Sequence, residues 1–140
     1  MARLVSPTPP PVKVLVADDD DDARWTIRVA LEAQGYDVVE TSDGDTTLGV
    51  LLDAAATRGA LPDVLLLDFV MPGTSGIGIL RALRRAAAIP ATVLMTGFPD
   101  RSIETFARNL GVTCVLFKPL DLDQLLAAVL EAACARSVPA

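Results

Sequence analysis

An ionisable carboxylate, Asp68, stands between the apolar run 64–67 and the turn-forming segment Phe69-Val70-Met71-Pro72-Gly73. A run of that kind reads as a buried strand, and open α/β sheets carry their chemistry where such strands end. Val14-Leu15-Val16-Ala17 ends the same way in Asp18 and Asp19, Val93-Leu94-Met95 ends in Thr96, and Val115-Leu116-Phe117 ends in Lys118. The strand ends therefore offer three acids, a hydroxyl and an amine. Such a set suits the binding of a divalent cation and a phosphoryl group.

The elements that must position these groups follow from the hydrophobic pattern. Short apolar runs at 13–17, 36–40, 64–67, 92–95 and 113–117 are separated by longer stretches with a helical period. Those stretches place Ala23, Ile27, Ala30 and Leu31, then Leu48, Leu51, Leu52 and Ala55, on buried stripes. Ile77 and Leu80 begin a third stripe, Ile103, Phe106, Ala107 and Leu110 a fourth, and Leu122, Leu125, Leu126, Val129 and Leu130 a fifth. Gly35, Gly59 and Gly111 stand where a left-handed residue ends a helix, and Asp121-Leu122-Asp123-Gln124 resembles a capping box. Strands joined by long helical connections imply a parallel sheet covered on both faces. The expected fold is a doubly wound (βα)5 three-layer sandwich of flavodoxin-like type, with strand order 2-1-3-4-5. Residues 1–12 are expected to be a flexible Pro-rich extension, 13–136 one folded domain and 137–140 a tail.

Composition narrows the function. At 140 residues the chain is one domain's worth, able to bury roughly two thirds of its unfolded surface. No apolar stretch reaches the roughly 18 residues of a membrane span, and Met1-Ala2-Arg3-Leu4-Val5 runs into a proline-rich segment with no signal-peptide core. A cytoplasmic location without membrane contact is expected. The net charge of −6 argues against direct nucleic-acid binding, and Arg81, Arg84 and Arg85 read as the solvated side of a helix. With no histidine in the chain, a histidine kinase, a histidine phosphotransfer domain and a Ser-His-Asp hydrolase are all excluded. Two cysteines, Cys114 and Cys134, make neither a disulfide framework nor a zinc site and read as small buried residues.

In the 2-1-3-4-5 order the first and third strands are neighbours, so Asp18, Asp19 and Asp68 share one pocket. Two carboxylates about 5 Å apart repel by about 3 kcal/mol at an effective dielectric of about 20. Three together raise their pKa values or recruit a cation, and Mg2+ is the abundant hard ion with oxygen ligands. Asp20, Asp21 and Asp22 read instead as acids at a helix start, favourable there by a few tenths of a kcal/mol each.

At this point Val16-Ala17-Asp18-Asp19, Leu67-Asp68-Phe69-Val70-Met71-Pro72-Gly73, Met95-Thr96-Gly97 and Phe117-Lys118-Pro119 together resemble the receiver domains of bacterial two-component response regulators. The resemblance runs over residues 13–135. It implies that Asp68 is the phosphoacceptor, supplied by the phosphohistidine of a histidine kinase or phosphotransfer protein, or by a small phosphodonor. It further implies that Asp19 binds Mg2+ directly, Asp18 mainly through water, and the backbone carbonyl of Val70 completes the set. Thr96 would hydrogen-bond a phosphoryl oxygen and Lys118 would pair with another, aimed by a cis Lys118-Pro119 bond. Output is expected by protein contact through the face made by the fourth helix, fifth strand and fifth helix, toward an unknown target, with a homodimer on phosphorylation as a further implication. No output domain is expected in the chain.

Two departures from the family pattern matter. An aromatic residue is usual three positions before the lysine, where Val115 stands; Phe117 lies on the same side of the strand. Val70 and Phe98, two residues past Asp68 and Thr96, are apolar and cannot orient an attacking water, so slow self-dephosphorylation is expected. Trp25, on the first helix, is expected in core or rim packing, with a partner-contact anchor as the alternative. The competing function is a pseudo-receiver, an interaction module with no phosphorylation cycle. A haloacid dehalogenase-type phosphatase would need a second Asp where Val70 stands, and flavin binding would need a hydroxyl- and glycine-rich loop in place of Asp18 to Asp22.

Overall fold

In the computed structural model, which describes residues 10–57 and 60–137, five strands and five helices alternate. They are β1 (Lys13–Ala17), α1 (Asp21–Ala33), β2 (Asp37–Thr41), α2 (Gly44–Ala56), β3 (Val64–Asp68), α3 (Gly76–Arg85), β4 (Ala91–Thr96), α4 (Arg101–Asn109), β5 (Cys114–Phe117) and α5 (Leu122–Ser137). Every strand pair is parallel and the order is β2-β1-β3-β4-β5. The doubly wound, flavodoxin-like architecture expected from the sequence is the one observed. Most of the expected extension (1–9), the tail residues 138–140 and Gly59 lie outside the described residues. Val12 already packs against the core, and its carbonyl accepts from the Asp37 N–H at 2.9 Å.

Alternation along the central strands divides the interior in two. Leu15, Ala17, Leu65, Leu67 and Leu94 face Leu51 of α2, Ile79, Leu80 and Leu83 of α3, and Ala107 of α4. Val14, Val16, Val64, Leu66, Val93 and Met95 face Ile27 and Leu31 of α1 and Leu125, Ala128, Val129 and Ala132 of α5. The buried stripes of the helices differ in part from those expected. Leu52, Phe106, Leu122 and Leu130, expected inside, are exposed. Among the described side chains of α5 the buried positions are 125, 128, 129 and 132, a stripe that includes the alanines at 128 and 132, while Leu122 and Leu130 project outward.

Helix ends explain why the strand tips are so well placed. Gly35 (φ +92°) and Gly111 (φ +96°) close α1 and α4 with paired bonds, Gly35 to Glu32 and Tyr36 to Leu31, and Gly111 to Arg108 and Val112 to Ala107. The third helix closes the same way, but through Ala87 at φ +52°. Asp20, Asp43, Ser75 and Asp100 cap the first four helices through their side chains, and Asp121 accepts from the Asp123 and Gln124 N–H groups at the start of α5.

Candidate functional site

The C-terminal ends of β1, β3, β4 and β5 converge on one acidic pocket. Asp18 is wholly buried; its N–H donates to the Thr41 carbonyl at 3.2 Å and its Oδ1 accepts from the Asp20 N–H at 2.9 Å. Asp68 is also buried, and its Oδ1 lies 3.5 Å from the Val70 N–H. Asp19 is exposed, yet oxygens of Asp18, Asp19 and Asp68 all lie within 4.8 Å of one another. The expected three-carboxylate cluster therefore exists.

Lys118 reaches this cluster from β5. Its Nζ donates to Asp18 Oδ2 at 3.1 Å and to Asp68 Oδ2 at 3.2 Å. The Lys118-Pro119 bond is cis, as the resemblance implied, and the Lys118 N–H donates to the Thr96 carbonyl at 2.7 Å. Thr96 is fully buried at the end of β4, where its Oγ1 accepts from the Phe98 N–H at 3.0 Å. The register pairs Asp68 with Met95, so Thr96 stands one residue further along at the same edge of the sheet. Val70 is exposed beside the pocket.

Burial, then the neighbouring Asp18 charge, pushes the Asp68 carboxyl up to about 6, against the lowering effect of Lys118 and the Val70 N–H. Burial works to lower the Lys118 pKa, but hydrogen bonds and charges from Asp18 and Asp68 outweigh it and raise the value. A folded-state pKa above the ordinary carboxyl value means that the stability Asp68 contributes is present below about pH 4 and lost as pH rises through about 6. Asp68→Asn should accordingly raise metal-free stability at about pH 7 by up to about 3 kcal/mol, with the gain vanishing near pH 4. Denaturant titrations of the two proteins across that range check this; an unchanged or lowered midpoint at neutral pH contradicts it.

All donors in the cluster are hard oxygens, and three carboxylates facing one ammonium leave negative charge unneutralised. Those residues fit a divalent cation of the Mg2+ type.

Several contributors carry little sequence signal. Arg24 Nη1 donates to the Asp18 carbonyl at 2.8 Å, Nη2 to Asp21 at 2.7 Å and Nε to Glu40 at 3.2 Å. Behind the β3–α3 loop, Asp45 Oδ1 accepts from the Thr74 N–H and hydroxyl at 3.1 and 2.7 Å, and the Gly44 N–H donates to the Pro72 carbonyl at 2.8 Å. Phe69 and Phe98 meet edge to face, with ring centroids 6.3 Å apart. Trp25, expected in core or rim packing, is 58% exposed, because its position on α1 points away from the Ile27–Leu31 stripe. Cys134, expected to be buried, is exposed, and Cys114 is only partly buried.

The family model for the response regulator receiver domain matches residues 14–130. The transcriptional regulator NtrC of Salmonella typhimurium is 32% identical over 116 residues, covering 83% of this chain and 24% of that protein. Protein-glutamate methylesterase/protein-glutamine glutaminase 5 of Myxococcus xanthus is 40% identical, covering 80% of this chain and 31% of that protein. The receiver domain of the Francisella response regulator 1452 superposes with a TM-score of 0.79 at 27% identity, covering 88% of this chain and 97% of that one.

The chain belongs to the response regulator receiver domain family, the signalling modules of two-component systems. It spans about a quarter to a third of the length of the two curated relatives named above. Receiver domains bind Mg2+ at an acidic pocket and interact with histidine kinases or phosphotransfer proteins. Among the described residues no helix is long and apolar enough to cross a membrane.

Proposed function

We propose that this domain is a phosphorylation-controlled switch in which Asp68 accepts a phosphoryl group with the assistance of Mg2+. The observation that carries the reading is Lys118 Nζ held between Asp18 Oδ2 and Asp68 Oδ2 at the edge of a three-carboxylate cluster. An Asp68 carboxylate oxygen would attack phosphorus while the phosphorus–nitrogen bond of a phosphohistidine, or the phosphorus–oxygen bond of acetyl phosphate, breaks and its electron pair leaves with the donor. Asp18, Asp19, Asp68 and the Val70 carbonyl would hold Mg2+, which supplies charge neutralisation when bound. The Lys118 ammonium pairs with a phosphoryl oxygen and the Thr96 hydroxyl, already positioned by Phe98 N–H, donates to another. Acetyl phosphate should therefore label the protein with Mg2+ present and fail to do so in excess EDTA; labelling unaffected by EDTA counts against the metal's role.

The donor would be a histidine kinase or phosphotransfer protein docking on α1, a reading supported by the exposed Trp25 and Val29 one helical turn apart. Output would run through the α4-β5-α5 face to a protein target or a second copy. Val115 is buried in the core and Phe117 is 41% exposed at the strand end, so neither matches the usual reporter. The Phe69–Phe98 contact ties the loop after Asp68 to the loop after Thr96 and supports a route through Phe98 instead.

With Val70 and Phe98 both apolar, loss of the phosphoryl group should be slow. A Val70→Asn variant gains a side chain able to orient water and should dephosphorylate about fivefold faster, the rate equivalent of a hydrogen bond of about 1 kcal/mol. A time course of phosphoryl loss after donor removal checks this, and equal rates contradict it.

A further inference from the structure

We propose that Arg24 is a positioning residue for the acidic pocket, setting its Mg2+ affinity by fixing the orientation of the Asp18–Asp19 peptide. Its side chain is 16% exposed and each guanidinium nitrogen has a partner: Nη1 holds the Asp18 carbonyl, Nη2 holds Asp21 and Nε holds Glu40. Glu40 is fixed in turn by Arg28 Nη1 at 2.8 Å. On the other side of the same residue, the Asp18 N–H donates to the Thr41 carbonyl. The β1 end is thus gripped from both sides, by the edge strand through Asp18 N–H and by α1 through Asp18 C=O.

That carbonyl belongs to the peptide whose nitrogen is Asp19's, the one exposed carboxylate of the cluster. Rotating the peptide would swing Asp19 relative to the buried Asp18 and Asp68. A flat guanidinium spreads its donors over three nitrogens in a rigid fork and can span these three separated acceptors, whereas the donors of an ammonium all sit on one nitrogen and cannot reach all three. Outer-shell partners of this type commonly change metal affinity by about 10–100-fold.

The inference rests on the Mg2+-dependent reading above, and its sign separates it from a simple charge effect. Arg24 carries a positive charge beside a site for a dication, so by charge alone its removal would tighten Mg2+ binding. Positioning requires the opposite. Titration calorimetry with MgCl2 on the full chain should show Arg24→Met weakened about tenfold, and Arg24→Lys, which keeps the charge, weakened nearly as much. Labelling by acetyl phosphate at saturating Mg2+ should recover to near the parent rate in both variants, with only the Mg2+ concentration needed shifted. Thermal unfolding in EDTA shows separately how much each variant loses in fold stability.

Mg2+ binding by Arg24→Met as tight as the parent's, or tighter, overturns the proposal. If Arg24→Met does not fold, Arg24→Lys decides, and parent-like affinity there overturns it equally. A parent protein that binds no Mg2+ overturns the metal reading itself, a different result from a parent that binds and variants that match it.

Discussion

Lys118→Met is expected to destabilise the metal-free protein by about 3–5 kcal/mol at about pH 7, the usual cost of removing one partner from a buried charge cluster. Lys118 Nζ lies within reach of both Asp18 and Asp68, which are 0% and 5% exposed. Without it two carboxylates face each other in a site where Asp68 is already pushed up to about 6. The loss should shrink as pH falls toward about 6 and below, because removing the lysine raises the Asp68 pKa further and protonating Asp68 removes the repulsion that the lysine had offset. Added Mg2+ should restore part of the stability, since a ligand bound only by the folded state stabilises it by mass action, about 1.4 kcal/mol at ten times its dissociation constant. Urea titrations with EDTA and with MgCl2, at neutral and mildly acidic pH, check all three statements. A variant as stable as the parent in EDTA at neutral pH contradicts the charge account.

Gly44→Ala is expected to cost about 3 kcal/mol or more for a different reason, overpacking against backbone. A Cβ at Gly44 would overlap the Thr74 carbonyl oxygen and lie 2.6 Å from the Thr74 carbonyl carbon and 2.8 Å from its nitrogen. None of these atoms can move without displacing the loop that Asp45 clamps through Thr74. That loop leads from Asp68 and Val70 into α3, so the variant should also label more slowly with acetyl phosphate. Gly49, in the same helix, has nothing within 4 Å of its Cβ position. Gly49→Ala should therefore stabilise α2 by about 0.5–1 kcal/mol, so the pair separates the clash from helix propensity. Thermal unfolding of both proteins is the check, and equal melting points would contradict the close-packing account.

The fold was legible because strand ends, helix periods and turn residues agreed with one another. Central strands are buried on both faces and read as unbroken apolar runs, while Gly35 and Gly111 sit where left-handed backbone is needed. The end of α3 carried no such mark, since Ala87 adopts φ +52° without a glycine. Amphipathic stripes misplaced Leu122 and Leu130, because periodicity does not tell that the buried stripe of α5 runs through the small residues Ala128 and Ala132.

In the site, the residues at strand tips were legible: topology alone brings Asp18, Asp19, Asp68 and Lys118 together. The supports were not. Arg24, Glu40 and Asp45 are ordinary surface-type residues in sequence, and only the crossing of α1 over β2 and of α2 beside the β3–α3 loop gives them partners. Trp25, expected in core or rim packing, lies on the outer side of α1 and is exposed.

Phosphorylation at Asp68 is read from the intact mass of the parent and of Asp68→Asn after incubation with Mg2+ and acetyl phosphate. One added phosphoryl group is expected on the parent and none on the variant. Equal addition to both would place the acceptor elsewhere, and no addition to a folded, Mg2+-binding parent would contradict the switch and favour an interaction module without a phosphorylation cycle.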